Sequence, residues 1–313
     1  YPNGLIIDEA QNLPELFSAL QVVVDENKDY RYILSGSSDF LLMQNISQTL
    51  AGRVAVTRLL PLSISELKED ANIDTNTLMW KGFYPAVWGD GKSPDNVYDS
   101  YVSTYLQRDV RQILNIKDLS LFQKFLTIVA SRVGNVFIAS SIASELGVDY
   151  KTIQSWMSIL ETSYTAFLLQ PFHRNIGKRL TKTPKIYFYD IGLVCHLLGI
   201  ENEQHIKNHP LRGAIFENMV VCEMLKRRYN KGLKSNLYFY RDQSAEVDVI
   251  QEEAGSIKAY EIKSAERFNQ EFTKSLSYVQ KLLGDEISSS YIIYSGEEEM
   301  KFKNFSLINY HNL

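Results

Sequence analysis

Two charged triplets, Glu246-Val247-Asp248 and Glu261-Ile262-Lys263, sit in alternating apolar segments on either side of a polar, glycine-containing stretch. No other feature constrains the chain as much. Period-two alternation predicts two strands, with Val247 and Val249 facing away from Glu246, Asp248 and Ile250. In the second strand Ala259, Glu261 and Lys263 share the face opposite Tyr260 and Ile262. The segment Gln251-Glu252-Glu253-Ala254-Gly255-Ser256 reads as a hairpin loop, which brings Asp248 close to Glu261. Upstream, Leu237-Tyr238-Phe239-Tyr240 reads as another strand. Ala214 to Leu225 reads as a helix that carries Glu217 and turns Phe216, Met219, Val220 and Met224 to the sheet. Carboxylate oxygens suit Mg²⁺ or Mn²⁺, and a neighbouring ammonium can hold a water or a scissile phosphate. The plainer reading of the same residues is an exposed hairpin with a solvent-screened Glu–Lys pair.

These positions resemble the PD-(D/E)XK nuclease superfamily, whose pattern is a helix-borne Glu, a strand-end Asp and a Glu-X-Lys on the next strand. Glu217, Asp248, Glu261 and Lys263 match the four places, and Val247 stands where the superfamily's name has proline. The resemblance implies an α/β domain completed by an amphipathic segment, Phe272 to Leu283, and a strand, Ser290 to Tyr294. It also implies that Glu217, Asp248, Glu261 and Lys263 form a catalytic group in which Asp248 and Glu261 bind the metal.

At the other end, Leu5-Ile6-Ile7-Asp8-Glu9 is an apolar run closed by paired acids. A buried parallel strand of this kind can present Asp8 to water around Mg²⁺ and Glu9 to an attacking water, although the dipeptide taken alone favours an end cap. A helix from Pro14 to Glu26 and a second buried strand, Tyr30 to Ser38, ending in small polar residues, follow; Leu50-Ala51-Gly52-Arg53 and a further strand and turn over Arg58 to Leu67 come next. The order resembles the C-terminal half of the ATPase core in a group of prokaryotic AAA-type P-loop ATPases that end in a winged-helix plus nuclease-like module, a resemblance that spans essentially the whole chain. It implies Mg²⁺ at Asp8, a water-polarising role for Glu9, a sensor position at Ser37 or Ser38, γ-phosphate contact by Arg53, and oligomerisation through this part. No G-x-x-x-x-G-K-[ST] loop occurs in the sequence, so ATP binding and turnover are expected only in a longer parent protein. The start at Tyr1, inside a strand-like run, reads as N-terminal truncation.

Between the two ends, the spacing predicts an aromatic, proline-containing turn near Gly82 to Ala86 and a loop at 90–96. A helix follows from about Val97 to Leu114, with Tyr101, Tyr105, Leu106 and Val110 as its core stripe; Arg108, Asp109 and Arg111 read as an ion network. Another helix covers Phe122 to Ser131. Ser140 to Leu160 has the form of a helix-turn-helix, with Gly147 at the turn, Asp149 as cap, and Ile153, Trp156, Met157 and Leu160 inside. Lys151 and Gln154 then lie at the recognition position. Thr165 to Gln170 and Lys185 to Tyr189 read as wing strands around a loop with five basic residues and no acid: Arg174, Lys178, Arg179, Lys182 and Lys185. This is the best local candidate for DNA phosphates. A solvated loop or a protein-docking surface has the same composition.

The net charge of −4 excludes a globally basic nucleic-acid binder and leaves only local patches. Cys195 and Cys222 have no disulfide or metal spacing and fit a reducing cytoplasm, and the five histidines show no zinc pattern. No apolar run is long enough to span a bilayer. The expected architecture is α/β: a partial P-loop ATPase core at 1–67, a helical linker at 68–118, a winged helix at 119–200 and a PD-(D/E)XK-like domain at 201–313. The expected function is an ATPase-family protein coupled to a nucleic-acid-directed, metal-dependent nuclease-like domain; the alternative is a silent nuclease fold that binds DNA or protein.

Overall fold

The first apolar run folds as strand β1 (Leu5–Ile7), followed by helix α1 (Glu15–Glu26) and strand β2 (Tyr32–Leu34). The computed structural model describes residues 4–27, 29–36, 46, 49–67, 73–89, 91–106, 119–173, 182–253 and 255–313. β1 and β2 pair in parallel with Ile6 opposite Ile33. Phe17 and Leu20 of α1 join Ala10, Ile46 and Leu50 in a small core of their own. The expectation of two fully buried strands fails here. Ile6 is 72% and Ile33 61% exposed, because among the described residues α1 covers only one face of the pair.

The middle of the chain is mostly helical: α2 (Thr75–Lys81), α3 (Pro85–Trp88), α4 (Pro94–Ser100), α5 (Leu119–Ser131), α6 (Ala139–Leu146) and α7 (Tyr150–Thr162). The single helix expected from Val97 is instead α4 continued by a π-helical turn over Tyr101–Leu106; Arg108, Asp109, Val110 and Arg111 lie outside the described residues. Tyr98 and Val102 supply the buried contacts of this stretch, with Tyr101 half-buried. α6 and α7 meet at Gly147, whose φ of +67° suits a residue without Cβ, and the Asp149 side chain accepts from the Lys151 N–H at 2.7 Å. Strands β3 (Ala166–Leu169) and β4 (Lys185–Phe188) then pair antiparallel, followed by α8 (Ile191–Leu197) and α9 (Glu203–Lys207).

Helix α10 (Arg212–Tyr229) is buried over most of its circumference and leads into six strands, β5 (Leu237–Arg241), β6 (Glu246–Glu253), β7 (Ser256–Lys263), β8 (Ile287–Tyr294), β9 (Met300–Lys301) and β10 (Ser306–Asn309). Their spatial order is β5-β6-β7-β8-β10-β9. The β5–β6 and β6–β7 pairs are antiparallel, whereas β7, β8 and β10 run parallel. Helix α11 (Lys274–Leu283) supplies the crossover between β7 and β8 that a parallel pair requires, and buries Leu276, Val279 and Leu283.

Two sequence expectations about the β6–β7 hairpin need correction. Its ladder continues to Glu253↔Ser256, so Gln251, Glu252 and Glu253 are strand residues and only positions 254 and 255 lie between the paired ends; Gly255 takes a φ of +91°. Strict alternation also breaks, because β6 carries a bulge against β5: Tyr240 pairs with Val247 but Tyr238 with Ile250. The extra residue resets the pattern, so Val247 joins Ile250 in the α11-facing core and Val249 joins the other. That other core is continuous from Leu60 to Tyr310.

The strand expected within Arg58 to Leu67 is replaced by an extended strap and a 3-10 turn, Ile64–Leu67. Side chains of α10 do the work of a partner strand: Lys226 Nζ donates to the Leu62 carbonyl at 2.7 Å, and Glu223 Oε2 accepts from the Ile64 N–H at 3.0 Å.

Candidate functional site

The β6–β7 ladder stops at Val249↔Tyr260, and beyond it the two strands fork. Asp248 stands in the fork. Its Oδ2 accepts from the Ile262 N–H at 2.7 Å, which satisfies a donor that the ladder leaves over. Lys263 Nζ lies 2.6 Å from Glu261 Oε1 and 3.9 Å from Asp248 Oδ2. Asp248, Glu261 and Lys263 are therefore brought together. Asp248 and Glu261 are buried, so the exposed-hairpin alternative does not describe these two acids.

Glu217 projects from α10 toward the same region but is engaged elsewhere. Its Oε1 accepts from Tyr187 Oη at 2.5 Å and from Lys185 Nζ at 3.2 Å, and Lys185 also meets Glu246 Oε1 at 2.5 Å. Sequence reasoning missed Lys185 and Tyr187 as parts of this cluster and placed Glu246 beside Asp248 without giving it a role. It placed Lys185 among the open basic-loop residues, whereas the Lys185 side chain is only 2% exposed and its ammonium sits 5.5 Å from the Phe239 ring centre. A lysine leading straight into the continuous apolar run Ile186-Tyr187-Phe188 at a strand start was the available signal. The hairpin reaches the sheet because Phe172 N–H donates to Phe239 O and Phe239 N–H to Gln170 O.

The electrostatics follow from burial. Desolvation, with the Asp248 carboxylate second, pushes the Glu261 carboxyl up to about 8 and the Glu217 carboxyl up to about 7. Burial works to lower both lysines, but Glu217, Asp248 and Glu246 hold the Lys185 ammonium above its ordinary value, and Asp248 and Glu261 do the same for Lys263. Glu261 Oε2 is buried without a hydrogen-bond partner, and a cation would satisfy such an oxygen. The donor set of Asp248 and Glu261 thus fits a hard divalent ion. Among the described residues no three His, Cys, Asp or Glu side chains are gathered to hold one, and Glu217 does not complete the set.

At the first end of the chain, Asp8 is exposed, and the Ser35 hydroxyl and the Glu9 N–H bonded to its Oδ1 lower its pKa. Ser35, a residue not singled out in the sequence, thus makes the contact; Ser37 and Ser38 lie outside the described residues. Glu9 adopts a left-handed φ of 50° and its Oε2 accepts from Gln11 Nε2 at 2.5 Å. Arg53 forms a two-pronged pair with Asp25, at 2.6 and 2.9 Å, so its guanidinium points to α1.

On the helix-turn-helix, Lys151 and Gln154 are exposed; Gln154 and Lys182 share a groove with Tyr150 and Met157. Arg174, Lys178 and Arg179 lie outside the described residues. No helix among the described residues is long and apolar enough to cross a membrane.

Residues 1–68 match the AAA domain family, residues 74–204 a domain of unknown function (DUF8612), and residues 212–313 a second domain of unknown function (DUF4143). Uncharacterized proteins of Mycobacterium bovis and Mycobacterium tuberculosis are each 31% identical over 303 residues, which cover 94% of this chain and 66% of theirs. An uncharacterized protein of Haemophilus influenzae is 22% identical over 271 residues, 80% of this chain and 63% of its own. The chain spans just under two thirds of the length of these curated relatives. Together the matches support an AAA-type, ATPase-like family of unknown function.

Proposed function

We propose that this protein is an AAA-type ATPase whose C-terminal domain carries a nucleic-acid-directed, Mg²⁺- or Mn²⁺-dependent nuclease-like site of the PD-(D/E)XK kind. One observation carries the reading: Lys263 spans Asp248 and Glu261 at a strand fork, beside a buried carboxylate oxygen without a partner. Asp248 and Glu261 would hold the ion, which when bound supplies a Lewis acid for a phosphodiester oxygen and acidifies water. The Lys263 ammonium would orient the phosphate and stabilise charge developing on it. Lys151, Gln154 and Lys182, with Arg174, Lys178 and Arg179 of the basic loop, would take the DNA backbone from an adjoining winged helix. Asp8 and Glu9 would serve ATP in a longer protein that also supplies a phosphate loop, with Arg53 leaving Asp25 to reach the nucleotide.

The test is Mn²⁺-dependent cleavage of single- and double-stranded DNA by the protein and by Asp248→Ala, Glu261→Ala and Lys263→Ala. Cleavage that all three substitutions abolish, with a Mn²⁺-induced rise in melting temperature that only Lys263→Ala retains, supports the reading. Cleavage that survives both carboxylate substitutions sinks it. A second reading, a silent nuclease fold that binds DNA or a protein, draws on the engagement of Glu217 by Lys185 and Tyr187. DNA binding that Lys151→Ala, Lys178→Ala and Lys182→Ala together weaken, without cleavage under any metal, would favour it.

A further inference from the structure

We infer that Lys185 is the resident cation of the carboxylate cluster: it holds Glu217 out of the metal set and competes with a divalent ion for the same group of acids. The inference rests on the metal-site reading of Asp248 and Glu261. Lys185 Nζ lies between Glu246 Oε1 at 2.5 Å and Glu217 Oε1 at 3.2 Å, in an almost fully buried position. Its backbone cannot drift away. Lys185 pairs with Leu169 on β3 and bridges to Val136, and the adjoining Ile186 exchanges bonds with Gly134 and Asn135 at 2.8 and 3.0 Å. The Tyr187 hydroxyl, from the same strand, holds the same oxygen of Glu217.

Charge balance points the same way. Four acids, Glu217, Glu246, Asp248 and Glu261, face three cations, Lys185, Lys263 and Arg241, the last 3.3 Å from Glu246, so even with every acid ionised the cluster carries a single net negative charge. A cluster so nearly neutralised attracts a dication weakly, because a cation already inside a low-dielectric site repels the incoming one. Removing the Lys185 charge should therefore free Glu217 and strengthen metal binding. An ordinary structural ion pair would have no such effect.

Lys185→Met alone would leave Glu246 to Arg241 and change the net charge of the cluster, so the informative variant is Lys185→Met with Glu246→Gln, which keeps the net charge and tests the release of Glu217. Mn²⁺ alone is titrated into the full chain by calorimetry, with bound Mn²⁺ counted by electron paramagnetic resonance. The double variant should bind Mn²⁺ at least tenfold more tightly than the unmodified protein, Lys185→Arg should bind it like the unmodified protein, and adding Glu217→Gln to the double variant should cancel the gain. Affinity within twofold of the unmodified protein, or weaker, in a double variant with unchanged circular dichroism overturns the inference. If Glu217→Gln alone abolishes binding, Glu217 is already a ligand; that outcome overturns the inference but leaves the metal site standing. If no variant binds Mn²⁺, the metal reading fails and the inference with it.

Discussion

Glu261→Gln should make this protein less sensitive to rising pH, although it removes a member of the proposed site. The Glu261 carboxyl is almost fully buried, and desolvation and Asp248 push it from 4.5 up to about 8. Below the lower value, folded and unfolded chains both hold the proton and nothing depends on pH. Between the two values the unfolded chain has released the proton while the folded chain retains it, so stability falls as pH rises, by ~1.4 kcal/mol per pH unit. Over the interval from 4.5 to about 8 this amounts to at most ~5 kcal/mol, and above it the loss is complete. Glu217, pushed up to about 7, shares the titration and takes part of the proton release, so roughly half of that figure, ~2 kcal/mol, is assigned to position 261. Gln keeps the shape and cannot ionise. Urea unfolding at about pH 5, 6, 7 and 8 should show the unmodified protein losing ~2 kcal/mol more than Glu261→Gln across the range. Parallel curves, or a steeper fall in the Gln variant, would refute the argument that burial holds this carboxyl protonated.

Asp190 receives hydrogen bonds from Phe83 N–H at 2.6 Å, Tyr98 Oη at 2.7 Å and Leu193 N–H at 3.1 Å in a buried position, so Asp190→Asn should cost ~2–4 kcal/mol in urea denaturation. Lys226→Met should cost ~3 kcal/mol and speed amide exchange across residues 62–67, since the Leu62 carbonyl loses its buried donor; unchanged exchange there would show that the strap is held by other contacts. Arg53→Ala breaks a pair whose side chains are 34% and 49% exposed, screened by solvent, and should leave the urea midpoint essentially unchanged.

The pairing of Asp248 with Glu261 and Lys263 was legible in the sequence because its partners lie on two adjacent strands of one hairpin, which any short connection brings side by side. The bulge in β6 was not, since its cause is the mismatch with β5, and neither strand's composition records it. Lys185 was misjudged for a related reason: beside Lys182 in sequence it looks like one more loop cation, and only α10, 32 positions later, turns it into a buried ion partner. The strap at Leu62 to Ile64 was read as a strand from its apolar residues, yet it has no strand partner among the described residues: the side chains of Glu223, Lys226 and Glu66 and the Phe83 carbonyl take its hydrogen bonds. The turn between α6 and α7 at Gly147 and the cap at Asp149 were legible because both residues act on their own neighbours.

Helix α10 explains why polar groups sit inside the largest core. Glu217 meets Lys185 and Tyr187; Asn218 both accepts from the Phe188 N–H and donates to its carbonyl, at 2.7 and 2.8 Å; Cys222 donates to Tyr189 O. Glu223, the next residue, and Lys226, one turn on from Cys222, hold the strap. An apolar helix of the same volume would bury as much surface and could slide or rotate against β4 and the strap at little cost, since dispersion contacts are non-directional. Each buried polar group instead has one position at which it is satisfied and costs ~1–3 kcal/mol when displaced from it. Glu217, Asn218, Cys222, Glu223 and Lys226 lie within three turns, so a shift of one residue along the helix would unsatisfy all of them together. The register that places Glu217 beside β4 is therefore enforced by the same helix that fixes the strap leading in from the AAA-like segment, and the carboxylate cluster inherits its geometry from that shared registration.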